Sequence, residues 1–196
     1  MHNLTNSLNH LFISKVRIKA LKYFLFNPDV PIHLRGAVRE LKEEINAVRR
    51  ELARLEEIGF IRSEARGNRK YFTLNSDYPF WVELLGMMHK SFGLGGEILQ
   101  NLSKIGDVQF AILSGSFTHI GKSHHNVDLV MIGQIDVNVL APIVSEAETK
   151  LGREINYTVM KLSEFILRKK RRDAFIMDLL ISNKIVLVGK PEELTA

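Results

Sequence analysis

There is no cysteine among the 196 residues of this chain. Disulfides and thiolate metal ligands are thereby excluded, and a reducing compartment is the natural setting. No apolar run approaches the roughly 20 residues needed to cross a bilayer, so no membrane partner is expected. The first residues lack the basic-then-apolar order of a secretory signal, and a cytoplasmic location is expected. Internal repeats and low-complexity segments are also missing. With 45% hydrophobic residues, a chain of this length buries one good core or two small ones.

What is present is charge, unevenly spread. The net formal charge is +5, yet residues 1–75 hold 14 Lys and Arg against 8 Asp and Glu, whereas residues 76–196 hold 13 against 14. A basic first third on a near-neutral remainder points to a polyanion met at one end, with a merely solvated basic surface as the alternative.

Apolar residues recur at helical spacing from Leu11 to Phe26 (Leu11, Ile13, Val16, Ala20, Leu21, Phe24, Leu25), and "NPDVP" ends that helix at its prolines. A second helix is predicted over His33 to Leu41 and a third over Ile45 to Ile58, stopping at Gly59. Ile61–Ala65 and Lys70–Leu74 read as strands joined by "RGN", the residue types of a tight hairpin. Helices closed by a hairpin outline a winged helix-turn-helix over residues 1–76. Residues 77–94 read as a connecting helix with an apolar stripe of Trp81, Leu84, Leu85 and Met88, followed by "GLGG" as a boundary. The stripe is either a dimer element or plain core.

On a helical wheel Ile45, Val48, Leu52 and Leu55 share one stripe, leaving Asn46, Arg49, Arg50 and Ala53 outward and Arg54 at its flank. Arg grips guanine, Asn grips adenine, and a small residue lets the helix approach the major groove. Arg66, Asn68, Arg69 and Lys70 at the hairpin tip suit backbone phosphates. The competing reading is that these arginines pair with Glu51, Glu56 and Glu57. The stretches "SKVRIKALKYFL" and "NAVRRELARLEEIGFIRSEARGNRKYFTLN" resemble the winged-helix domains of ArsR/MarR-type transcriptional regulators. That resemblance implies double-stranded DNA as partner and a homodimer. It has one departure, "KEE" at Lys42 to Glu44, which sets two carboxylates beside the DNA face.

Beyond residue 95 the pattern alternates. Glu97–Ile105, Val137–Leu151 and Ser163–Leu180 read as helices; Val108–Leu113, Val127–Ile132, Glu154–Met160 and Ile185–Val188 read as strands. The whole is an α+β chain of two domains, the second a mixed α/β sheet over 95–196. "LSGSF" and, after a polar loop, "NVDLVMIG" resemble the minimal nucleotidyltransferase family. In that family a Gly-Ser turn approaches a triphosphate, and three carboxylates hold Mg²⁺. The resemblance assigns Gly115 and Ser116 to the phosphate turn and Asp128 to the second carboxylate; Lys122 in the loop between them either touches a phosphate or is simply solvated. Asn126 stands where the first belongs, and Asn156 where the third belongs. One anion with two amides holds Mg²⁺ poorly, so neither a metal nor a nucleotide cofactor is expected and the catalytic set is vestigial. Glu154 is a possible substitute carboxylate, and His119, His124 and His125 an alternative metal cluster, against ordinary loop histidines. "RKKRR", Arg168 to Arg172, reads as a solvated stretch of helix, or else a contact for DNA or an acidic partner, with a nuclear-localisation signal as a third reading. Together these features indicate a DNA-binding regulator whose second domain is a sensor or interaction module. The alternatives are an active metal-dependent, antitoxin-like nucleotidyltransferase that modifies a partner protein and is targeted by the winged helix, and an antitoxin-like member of a two-gene system that neutralises its partner and represses its own operon.

Overall fold

The computed structural model describes Leu8, residues 10–118 and residues 127–195. The fold is mixed α+β with two small sheets. It divides into two compact units between Met88 and His89.

In the first unit, helix α1 spans Lys15–Phe26. It starts later than the apolar spacing predicts. Ile13 has a left-handed φ of 49°, and the Ser14 hydroxyl accepts the Arg17 N–H at 3.2 Å. Satisfying a first-turn N–H with a serine sets the helix start, and Leu11 and Ile13, 69% and 92% exposed, are outside the core. Strand β1 is Ile32–His33, and His33 Nδ1 accepts the Gly36 N–H to cap α2, Leu34–Leu41. Helix α3, Ile45–Glu57, is capped by Glu44, whose carboxylate accepts the Ala47 N–H at 2.9 Å. Strands β2 (Ile61–Arg66) and β3 (Arg69–Leu74) complete an antiparallel sheet of order β1-β3-β2. Their turn is two residues long. Gly67 takes φ +60° at its first position, where a side chain would be strained.

The core of this unit joins Leu21, Phe24 and Leu25 of α1 to Val48, Leu52 and Leu55 of α3 and to Phe60, Ile61, Phe72 and Leu74. Each such side chain contributes about 1.5–3 kcal/mol on full burial. The inward stripe of α3 differs from the wheel in two places. Ile45 is exposed, and Glu51 is buried in the stripe. The Glu51 carboxylate survives there because Arg17 Nε donates to it at 2.5 Å and Nη2 at 3.5 Å; a buried charge is tolerated when paired and hydrogen-bonded. Helix α4, Trp81–Ser91, contains the division between the units. Leu85 and Met88 of the predicted stripe are buried, while Trp81 and Leu84 are half-buried.

The second unit runs α5 (Gly93–Gln100), α6 (Leu102–Ile105), β4 (Gly106–Leu113), a single 3₁₀ turn (Gly115–Phe117), β5 (Leu129–Ile135), α7 (Val137–Leu151), β6 (Tyr157–Met160), α8 (Leu162–Lys170), α9 (Ala174–Ile181), β7 (Ile185–Val188) and α10 (Pro191–Thr195). The sheet order is β6-β5-β4-β7, with β5 and β6 parallel and the other pairs antiparallel. One face packs Phe110, Ile112, Val130, Ile132 and Met160 on Phe165, Ile176, Leu179 and Leu194. The alternating residues Ala111, Leu113, Leu129 and Met131 are equally inaccessible. Both faces are covered, so β4 and β5 read as continuous apolar runs.

Three expectations fail here. "GLGG" is the first turn of α5, and Gly95 and Gly96 are buried rather than in a boundary loop. A Cβ on Gly95 would come within 2.2 Å of the His89 carbonyl oxygen, so the glycine permits close backbone packing. The strand predicted from Glu154 starts only at Tyr157. The predicted helix over 163–180 is two helices: Arg172 adopts φ 53°, and Asp173 caps α9 by accepting the Ile176 N–H at 3.2 Å. Among the described residues no helix is long and apolar enough to cross a membrane.

Candidate nucleic-acid interface and the Asp128 cluster

Asn46, Arg49, Arg50 and Arg54 all lie on the exposed side of α3, and Arg66, Asn68, Arg69 and Lys70 are exposed at the hairpin tip. Their pairing states differ. Arg54 reaches Glu51 only at 3.9 Å. Arg66 pairs with Glu64 and lies over the Tyr71 ring. Lys70 pairs with Glu56 at 2.7 Å. Arg49 donates to Asn46 Oδ1 at 2.7 Å, which engages the oxygen a bidentate adenine contact requires. Arg49, Arg50 and Arg69 make no ion pair with a described residue within 4 Å.

Most of the acids around α3 are engaged. Lys19 Nζ donates to Glu43 at 2.6 Å and to the Leu41 carbonyl at 3.0 Å. Backbone N–H groups of Asn46 and Ala47 hold the Glu44 carboxyl below its usual range, with Arg50 and Arg49 adding smaller effects. The Lys70 and Ser63 hydrogen bonds hold Glu56 low as well, and they tie the hairpin to the last turn of α3. Lys42, between α2 and α3, is exposed in a left-handed conformation of φ 52°. The sequence reading noted Lys42 only as part of "KEE"; a cation at the one position where helix ends prefer glycine is the signal that marks it.

In the second unit the Gly-Ser turn closes on Asp128, which is 7% exposed. Asp128 Oδ1 accepts the Ser116 N–H at 3.1 Å and the Ser116 hydroxyl at 2.5 Å. Oδ2 accepts the Asn156 N–H at 3.2 Å and Arg153 Nη1 at 3.4 Å. The Asp128 backbone joins the same knot, accepting from Ser114 N–H at 3.0 Å and donating to the Asn156 carbonyl at 2.7 Å. Gly115 takes φ +55°, and a Cβ there would sit 3.0 Å from Asp128 Oδ1, so a side chain would be both strained and crowded. Arg153 also lies 5.0 Å over the Phe117 ring, whose edge neighbour is His89. The sequence reading missed Arg153. The signal available was a carboxylate between apolar strands, which needs a cation nearby.

The structure therefore brings Gly115, Ser116, Asp128 and Asn156 together, the last through its backbone; the Asn156 side chain belongs to an exposed residue. Lys122, Asn126, His119, His124 and His125 lie outside the described residues. The residues present do not fit Mg²⁺. Both Asp128 oxygens already accept two donors each, and Arg153 supplies the positive charge. No group of three His, Asp or Glu is gathered to hold a metal among the described residues. A phosphate at this turn would likewise need the Ser116 N–H and hydroxyl, which are directed at Asp128.

A separate groove of about 1140 Å³ opens where β5 and β6 end. Its acids are committed elsewhere: Asp136 caps α7, Asp107 accepts from Gln109, and Glu164 pairs with Arg168. Comparison with protein-family models, with curated proteins and with solved structures finds no match to this chain.

Proposed function

We propose that this chain is a DNA-binding transcriptional regulator, with a winged helix-turn-helix over its first unit and a nucleotidyltransferase-like second unit that has lost its chemistry. One observation carries the reading. On and around α3 the carboxylates of Glu43, Glu44, Glu51 and Glu56 are bonded to lysine, arginine or backbone N–H, and Glu57 is exposed at the helix end, while Arg49, Arg50 and Arg69 remain exposed and unmatched by any described acid within 4 Å. Cations left open in that way are available to phosphates and base edges. Double-stranded DNA is the partner, bound by a homodimer whose half-sites lie about one helical turn apart. The engagement of Asp128 by four donors speaks for a structural or sensory second unit over an active transferase.

The test is fluorescence anisotropy of the full chain against its own upstream DNA and a scrambled duplex at two salt concentrations. Arg49→Ala/Arg50→Ala is expected to lower specific affinity by about 100-fold and to flatten the salt slope by about two. Equal affinity for both duplexes, or an unchanged slope in the double variant, sinks the proposal.

A further inference from the structure

Helix α8 carries an apolar-and-cationic surface that the DNA reading does not use. Leu162, Ile166 and Leu167 are exposed, the last two at 43% and 47%. At about 100° per residue they fall with Ser163 and Lys170 in one arc of about 140°, opposite the buried Phe165. Lys170 lies within this arc, Lys161 precedes the helix, and Arg171 and Arg172 follow it; all four are exposed and none is ion-paired with a described residue within 4 Å. Arg168 and Lys169 of the same run are engaged, the first by Glu164 at 2.6 Å and the second by the Leu194 carbonyl at 2.9 Å.

A second observation concerns the backbone. Helix α8 ends in a pair of reversed hydrogen bonds, Arg172 N–H to the Lys169 carbonyl and Asp173 N–H to the Arg168 carbonyl, each 3.0 Å. This motif places its penultimate residue in the left-handed region, and glycine is the residue that does so without strain. Here the position is Arg172, at φ 53°. A strained position occupied by an exposed cation that makes no ion pair with a described residue points to a role for the cation outside the fold.

We propose that α8 and its Arg171–Arg172 end form a docking surface for an acidic, amphipathic helical segment of a protein partner. The aliphatic residues of such a helix, spaced three and four apart, meet Leu162, Ile166 and Leu167, and its carboxylates meet Lys161, Lys170, Arg171 and Arg172. Nucleic acid matches the cations and makes no use of the three aliphatic side chains. A membrane surface asks for a longer apolar face than three residues on a nine-residue helix.

The probe is a fluorescent, side-chain-stapled peptide with Leu at i, i+4, i+7 and i+11 and Glu between, set against a scrambled peptide of equal composition. Mixed neutral and anionic phospholipid vesicles and a random DNA duplex serve as further ligands. The full chain is expected to bind the patterned peptide at least tenfold more tightly than the scrambled one, in a salt-sensitive manner. Ile166→Ser/Leu167→Ser weakens that binding about tenfold. Arg172→Gly weakens it about threefold, while the melting temperature holds or rises by about 2–4 °C as the backbone relaxes. The proposal is overturned by equal affinity for both peptides, by an Arg172→Gly chain that binds the patterned peptide as before, or by vesicles or duplex outcompeting the peptide through these same residues. Arg49→Ala/Arg50→Ala leaves peptide affinity unmoved, so this result stands or falls apart from DNA binding.

Discussion

Around α3, four acids are bound inward and the arginines beside them stay outside. Glu43 meets Lys19, Glu44 caps its helix, Glu51 is buried on Arg17 and Glu56 meets Lys70, while Arg49, Arg50 and Arg69 face solvent. Around β5 the arrangement is reversed. Asp128, Ser116 and Arg153 close on one another, and the carboxylate is consumed within the unit. The same residue types thus make a surface for an external anion in one unit and a self-contained latch in the other. Charge counts along the chain do not separate these cases; the pairing of each group does.

The sharpest way to break the comparison is Asp128→Ala. If Asp128 is a latch, its loss leaves the Ser116 and Asn156 donors unmatched at the start of β5 and β6. The expected cost is about 3 kcal/mol, seen in calorimetry as a fall of roughly 10 °C in the unfolding of the second unit. Unchanged unfolding would mean that the carboxylate is held there for something other than stability.

Lys42→Gly sharpens the other side of the comparison. It relieves a left-handed lysine and is expected to stabilise the first unit by about 0.5 kcal/mol. If Lys42 meets a phosphate, DNA affinity falls about threefold and the salt slope by about one, against the direction of stability. An affinity that rises with stability would place Lys42 away from the DNA.

The smallest effect concerns the bond between hairpin and α3. The Glu56 carboxyl is held below its ordinary value by Lys70 and Ser63. Its folded-state pKa is depressed, so its contribution is complete above the ordinary glutamate range and is lost as pH falls through the lowered value. The pair is partly exposed, so the contribution amounts to a few tenths of a kcal/mol. Denaturant titrations of the wild type and Glu56→Gln are expected to differ at pH 6 and to converge as pH falls through that lowered value. A constant difference across that range would remove the ion pair as its cause.

Much of the secondary structure is legible in the residues. The apolar stripe of α3, the "RGN" turn and the apolar runs of β4 and β5 are local signals, and these elements stand within a few residues of where those signals put them. Two of the errors fall where a local pattern continued past a capping residue. Helical spacing runs on through Ser14 and through Arg172–Asp173, yet a side-chain cap or a left-handed residue ends the helix there. Glu51 sits where the wheel puts an apolar residue, because its partner Arg17 is 34 positions away.

The candidate sites divide along the same line. Exposure of the α3 arginines follows from the helical period alone, and a single carboxylate in the "NVDLVMIG" strand is plain in the chain. By itself the sequence determined the periodicity, the turn residues and the uneven charge, all of which depend on neighbours a few positions apart. Only the tertiary structure decided which charges are consumed. Arg153 reaches Asp128 across 25 residues, Lys19 reaches Glu43 across 24, and Arg17 reaches Glu51 across 34. A charge is neutralised by whatever folds to within a few ångströms of it, and that distance is set by the packing of whole elements rather than by their order in the chain.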